Sequence, residues 1–215
     1  MTRVFTWITS TIGFLIVVLG VALSLNALTY INFDPAYGFL KLKQQAIATG
    51  WYLPAYYSHV LISSLILLAG FFQLSTIGRK WPRVHRVLGY LYVMGILFFA
   101  APGGLMMSLF INRGSIVLSS FFIQGTLWFV FTALAFNRIR QQDIDAHKEW
   151  MWRSFALTSA AITLRIYIFI CSYYTDLSQP TAYAILSWMS WVPNLLLVEL
   201  WLRNNKKIKP GISLR

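Results

Sequence analysis

Histidine occurs three times in this 215-residue chain, at His59, His85 and His147. His85 opens the string HRVLGYLYV (85–93) and His147 opens HKEWMWRS (147–154). Each is followed at once by a cation, and each heads an apolar stretch of membrane length. A neutral imidazole carries one nitrogen lone pair that can take iron, zinc or a hydrogen-bond donor. A guanidinium beside it can pair with a ligand's carboxylate. Two such openings point to a polar site where two helices enter a bilayer.

Three chemistries suit that pair. Imidazoles from two helices can serve as the axial ligands of a b-type haem, with Arg86 and Arg153 facing its propionates. His85, Gly89 and Tyr92 share a helix face at i, i+4 and i+7, and the glycine lets a flat macrocycle or a helix come near. Alternatively, His85 and His147 bind a divalent metal with a loop acid such as Asp143, Asp145 or Glu149. The third reading is interfacial anchoring, because His, Arg, Trp and Tyr all favour the depth of a span end.

His59 and Arg165 suggest a second polar level. Along a helix, His147, Ser154, Thr158, Ala161 and Arg165 fall within about 40° of one line, a polar or small stripe expected to face protein rather than lipid. An arginine inside the bilayer costs a few kcal/mol or more and marks a partner, a pathway or a snorkelling side chain. His59 and Arg165 each sit roughly 10 Å below the same boundary and are expected to line one outer pocket. Most of the hydrocarbon thickness then separates His59 from His85 and His147, which rules out a three-histidine zinc site. Glu199, the acid inside the last stretch, is expected to pair with an arginine on its own side. No phosphate-binding glycine loop and no Ser-His-Asp set at matching depths occurs. The single Cys171 excludes an internal disulfide and a multi-cysteine zinc site.

The elements that must position these residues follow from composition. Hydrophobic residues make up 58% and charged residues 11%, too little charge to cover a soluble domain of this length. Six runs are long enough to cross a bilayer, near 7–30, 53–77, 87–110, 117–137, 150–172 and 181–202. The fold class is therefore all-α, a single bundle of six transmembrane helices over residues 1–215. The formal charge of +12 is a topology signal rather than a nucleic-acid one. Counting loops on alternate sides, fourteen cations fall on one face, against Lys41, Lys43 and Arg113 on the other. That places both termini in the cytoplasm, and a bacterial inner membrane is the expected location. The first span exceeds a signal h-region and reads as a retained anchor. The outer loop 31–52 is expected to form a short interfacial helix carrying Phe39, Leu40, Leu42, Ala46 and Ile47 on one side, as a cap or as a gate. Pro102-Gly103-Gly104, inside the third span, is expected to mark a packing kink or a cavity wall.

The blocks YSHV (57–60), GFFQL (70–74), RKWPRVHRVLGYLYV (79–93), HKEWMWRSFAL (147–157) and TLR (163–165) resemble a family of bacterial membrane proteins catalogued as domain of unknown function 2306. The resemblance covers roughly 53–170. Its matching positions are His59, Gly70, Gln73, Arg79, Pro82, His85, Arg86, Gly89, Tyr92, His147, Trp150, Met151, Arg153, Ser154 and Arg165. It implies a polytopic inner-membrane protein and supplies no activity. The residues themselves lead to a membrane redox component binding b-type haem or quinone, with His85 and His147 as ligands. The rival readings are a non-redox metal- or ligand-binding protein, such as a transporter or sensor accessory, and a structural scaffold.

Overall fold

The computed structural model describes residues 2–75, 80–174 and 179–208. Arg79, the 76–77 end of the second expected span, and the tail cations Lys209 and Arg215 lie outside them. The described residues are helical throughout their long elements and contain no strand. Six helices are long and apolar enough to cross a membrane: Gly13–Asn32, Tyr52–Leu74, Pro82–Ser108, Ser115–Arg140, Ile144–Cys171 and Thr181–Asn205. The chain divides into two compact units, residues 1–111 and 112–215, with three of these spans in each.

Unit 1 comprises α1 (Thr2–Leu28), the short α2 (Gln44–Ile47), α3 (Tyr52–Leu74), α4 (Pro82–Gly95) and α5 (Ala101–Ser108). A π-helical segment, Ile96–Ala100, joins α4 to α5, so the third span is one interrupted helix. Helix α3 is central and packs against α1 on one side and the third span on the other. Ser24 Oγ donates to Ser64 O at 3.1 Å, joining α1 to α3 through two buried serines.

The third span begins at Pro82, five residues before the apolar run that marked it in the sequence. Charge set that sequence boundary, whereas capping sets the helix. Proline at the first helical position loses no hydrogen bond and presets φ. The fifth span likewise starts at Ile144, because Asp143 caps it by accepting from Ala146 N at 3.1 Å. Both histidines thus lie one turn inside their helices rather than at the mouths. His85 N donates to Trp81 O at 2.9 Å and His147 N to Asp143 O at 3.0 Å, each closing a first turn.

The connection 29–51 departs from the expected single α-helix. It forms 3-10 turns at Thr29–Asn32 and Gly38–Lys43, then α2. With three residues per turn, positions i and i+3 eclipse. Phe39 and Leu42 therefore share the outward side and are exposed, while Leu40 and Lys43 share the inward side. Leu40 is fully buried with Tyr52 and Tyr56, and Lys43 Nζ donates to Phe110 O at 3.3 Å. Tyr30 stacks edge-on against both Tyr37 and Tyr56, and its hydroxyl accepts from Phe39 N at 2.9 Å. A Cβ at Gly38 would reach within 2.5 Å of that hydroxyl, at a backbone φ of +54°. This loop is built as a cap on the end of unit 1. Leu40→Ala is expected to lower the unfolding free energy in detergent by about 2 kcal/mol, through lost transfer energy and a residual cavity. An unchanged midpoint in tryptophan-monitored unfolding would contradict the cap.

Unit 2 comprises α6 (Ser115–Arg140), α7 (Ile144–Thr158), α8 (Ala160–Cys171), α9 (Pro180–Met189) and α10 (Val192–Ile208). The fifth span is α7 and α8 with a one-residue interruption at Ser159. The sixth is α9 and α10 with a two-residue interruption at Ser190 and Trp191. Helix α7 packs lengthwise on α6 and also touches α10.

Candidate functional site

The polar stripe expected along the fifth span is real over α7, and it faces α6. His147 Nδ1 donates to Ala135 O at 2.8 Å. Ser154 Oγ and Thr132 Oγ1 share a hydrogen bond at 2.7 Å, with both residues wholly buried. Trp128 Nε1 donates to Thr158 Oγ1 at 3.0 Å, and Thr158 in turn donates to Ser154 O. An apolar bilayer gives such groups no water, so each rung must be satisfied by the neighbouring helix.

The stripe ends at Ser159. Ser159 N bonds Phe155 O, while Ile162 N and Thr163 N both reach back to Ser159 O, a local tightening between α7 and α8. Asn194 fills the gap: its Nδ2 donates to Thr163 Oγ1 at 2.9 Å, Ser190 O at 3.2 Å and Ala156 O at 3.4 Å. One amide thus bridges the interruptions of the fifth and sixth spans. Arg165, beyond the break, does not continue the buried line. It is exposed, with Nη1 3.4 Å from Ala161 O on its own helix.

Arg153 is turned toward α10 rather than toward a bound acid. Its Nε donates to Glu199 Oε1 at 2.5 Å and its Nη2 to Glu199 Oε2 at 3.1 Å, a bidentate pair. Glu149 Oε2 lies 3.7 Å from Nη1, and the guanidinium sits 4.5 Å from the Trp150 ring centroid. The Arg153 side chain is 14% exposed and that of Glu199 30%. The expected pairing of Glu199 with an arginine is therefore found, and it engages the guanidinium that the sequence offered to a ligand.

Orientation of His147 is the chemically telling feature. A carbonyl oxygen can only accept, so the Nδ1 facing Ala135 O carries the proton. In the neutral ring this leaves the lone pair on Nε2, the tautomer that a backbone acceptor sets for metal- or iron-ligating imidazoles.

In unit 1, His59 makes the same kind of bond, from Nδ1 to Ala100 O at 2.6 Å. Ala100 closes the π-helical segment, where Ala101 N reaches Ile96 O and Pro102 has no N–H to give. Gly103 and Gly104 pack directly on α3. A Cβ at Gly103 would lie 2.7 Å from Ala55 O, and one at Gly104 2.8 Å from His59 Nδ1. Pro102-Gly103-Gly104 is thus a helix–helix packing device. About 22 Å of helix separates Ala100 from His85, so the two histidines of unit 1 stand at different levels.

His85 is half-buried and Arg86 exposed. Gln73 Nε2 donates to His85 O at 2.6 Å and passes Gly89, whose Cβ would lie 3.5 Å from that nitrogen. Tyr92 on the same side is fully buried. The face His85-Gly89-Tyr92 accordingly receives α3, the helix among the two partners the glycine could admit. His59 and His85 belong to unit 1, and His147, Arg153 and Arg165 to unit 2. Among the described residues no three His, Cys, Asp or Glu side chains come together as a metal site.

Sequence reasoning did not single out Asn194, Gln124, Trp128 or Trp191. Trp191 Nε1 donates to Ser120 Oγ at 3.0 Å and Gln124 Nε2 to Leu157 O at 3.4 Å. The available signal was an asparagine and a glutamine inside otherwise apolar spans, each a group that must find a partner there.

No curated protein and no solved structure matches the chain. Residues 56–202 match the family described as Predicted membrane protein (DUF2306), a stretch that begins before His59 and takes in both Arg153 and its partner Glu199. The chain is a member of this family.

Proposed function

We propose that the protein is a membrane redox component that binds b-type haem through Nε2 of His147, with a quinone as the alternative occupant of the same nitrogen. The observation that carries this reading is the 2.8 Å bond from His147 Nδ1 to Ala135 O, which directs the lone pair to Nε2. Haem is favoured over a bare divalent ion on ligand count. A porphyrin brings four donors and asks the protein for one or two imidazoles, whereas zinc requires three or four side chains. A quinol would instead donate its hydroxyl proton to Nε2. His85 enters the proposal from the sequence alone, and Arg153 braces α7 against α10 through Glu199. The excess of cations on alternate loops supports an inner-membrane orientation with both termini cytoplasmic.

The test is the cofactor content of protein expressed in a haem- and quinone-producing bacterial host and purified in mild detergent. A Soret band with a pyridine haemochrome near one haem per chain is the expected result. Quinone recovered by solvent extraction without a Soret band would select the alternative occupant. Neither haem nor quinone, with metal found by elemental analysis, would replace this reading by the metal-binding one.

A further inference from the structure

Helix α4 has two opposite faces. His85, Gly89 and Tyr92 lie on the side that receives α3, whereas Arg83, Arg86, Val87 and Tyr90 lie on the other and are all exposed. Trp81, just before the helix, is exposed too, and Trp81, Pro82, Arg83 and Val84 line a shallow concavity of about 400 Å³. Charge balance leaves the two guanidiniums of this face without a counter-ion. Asp34 is the one Asp or Glu in the sequence of unit 1. It precedes the 23-residue α3, which puts about 34 Å of helix between it and the approach to α4. The described carboxylates of unit 2 are engaged within that unit: Asp143 with Arg138, Asp145 with Lys148, and Glu149 and Glu199 with Arg153. Among the described residues neither Arg83 nor Arg86 meets an acid. The first turn of α4 also has no side-chain cap, so its backbone N–H groups add positive partial charge.

An occupant of this face must bring negative charge to the helix start and cover an apolar wall beyond it. Val87 is 66% exposed and Tyr90 54%, one and two turns past Arg83 on the same side. A phospholipid meets both demands: its phosphate oxygens suit guanidinium forks, and its acyl chains cover exposed apolar side chains. A soluble anion meets only the first. Two guanidiniums with no acid beside them favour a lipid of net negative charge over a zwitterionic one. We propose that Arg83 and Arg86, with Trp81 at the headgroup level, bind the phosphate of an anionic phospholipid whose chain runs along Val87 and Tyr90. The inference does not rest on the haem reading, whose ligand His147 belongs to unit 2.

The experiment titrates detergent-purified full chain with short-chain phosphatidylglycerol, with short-chain phosphatidylcholine and with inorganic phosphate, following the thermal midpoint by tryptophan fluorescence. Phosphatidylglycerol is expected to raise the midpoint at concentrations where the other two do not. Its apparent affinity should weaken roughly five-fold in Arg83→Gln and in Arg86→Gln, and roughly twenty-five-fold in the double variant. Both side chains are exposed, so these variants keep the packing of α4 on α3. Arg203→Gln removes an exposed cation from α10 and should bind as wild type does. Wild-type affinity in the double variant would overturn the proposal. Equal weakening in Arg203→Gln would also overturn it, because attraction would then follow total charge rather than this face. An equal response to phosphatidylcholine would reduce the contact to apolar covering, and an equal response to inorganic phosphate would assign the arginines to a free anion; either result removes the anionic lipid.

Discussion

Arg153→Ala is expected to lower the unfolding free energy by about 3 kcal/mol, among the largest single losses available in unit 2. The substitution removes a bidentate hydrogen-bonded pair with Glu199 and a nearby charge from Glu149, and it strips the cation from Trp150. The two carboxylates would then remain in a largely buried setting without the guanidinium that offsets their desolvation. Breaking a buried pair from one side costs about 3–5 kcal/mol, and the partial exposure of Glu199 places this case at the low end. Arg153→Lys should fall between the two, because an ammonium cannot reproduce the planar fork. Replacing both partners, as Arg153→Met with Glu199→Leu, should recover much of the loss, since Glu199 is then not left without its guanidinium and only the looser 3.7 Å contact with Glu149 is lost. Tryptophan-monitored unfolding in detergent measures all three. If Arg153→Ala matched wild type, the pair would be incidental to the docking of α10 on α7.

Gly103→Val should be nearly as damaging in unit 1, at roughly 3 kcal/mol. An added Cβ meets Ser58 Oγ at 2.5 Å, Ala55 O at 2.7 Å and His59 N at 3.1 Å. Two of those atoms are backbone of α3 and cannot rotate away, so α5 must move off α3. Overpacking a tight interface costs about 1–3 kcal/mol, and a branched side chain lies at the top of that range. Gly104→Ala is a different case. Its obstacle is the His59 ring, which can turn aside at the cost of its bond to Ala100 O, about 1 kcal/mol. Gly13→Ala, with nothing within 4 Å of the added atom, is the control and should be neutral or slightly stabilising. The predicted order is Gly103→Val, then Gly104→Ala, then Gly13→Ala; a reversal of the first two would mean that α3 and α5 are not held at this separation.

The spans were legible because a bilayer filters sequence harshly: long uncharged runs have few alternatives, and all six appear. Their starts were less legible. Counting apolar residues placed the third and fifth spans too late, since Pro82 and Asp143 begin helices among charged residues. The α6-facing stripe was visible from the spacing of His147, Ser154 and Thr158, all on one uninterrupted helix. Its extension to Arg165 failed because the count assumed an unbroken 100° per residue through Ser159, and a one-residue interruption there carries no strong local signature. The 29–51 cap was recognised as an amphipathic connection, but a 3-10 period redistributed Phe39 and Leu42 to the outside. The bond from His59 to Ala100 O depends on a π-segment, and nothing in Ile96–Ala100 announces one. The pairing of Glu199 with an arginine of its own side was foreseen from depth alone, because a carboxylate in a span has few ways to be tolerated; that the arginine is Arg153 was not. Pairing the histidine openings said nothing of the neighbouring carbonyls, and those fix the ring nitrogens.

The central claim is that His147 presents Nε2 to an iron or quinol ligand, and chemical rescue addresses it most directly. His147→Gly opens a cavity the size of an imidazole beside Ala135 O without adding a new side chain. The optical spectrum of this variant, purified from a haem-producing host, is compared with wild type before and after millimolar imidazole is added. The account predicts a wild-type Soret band that is lost or strongly shifted in the variant and restored by imidazole. An identical spectrum in wild type and variant, or a band that imidazole does not restore, would contradict His147 as the ligand.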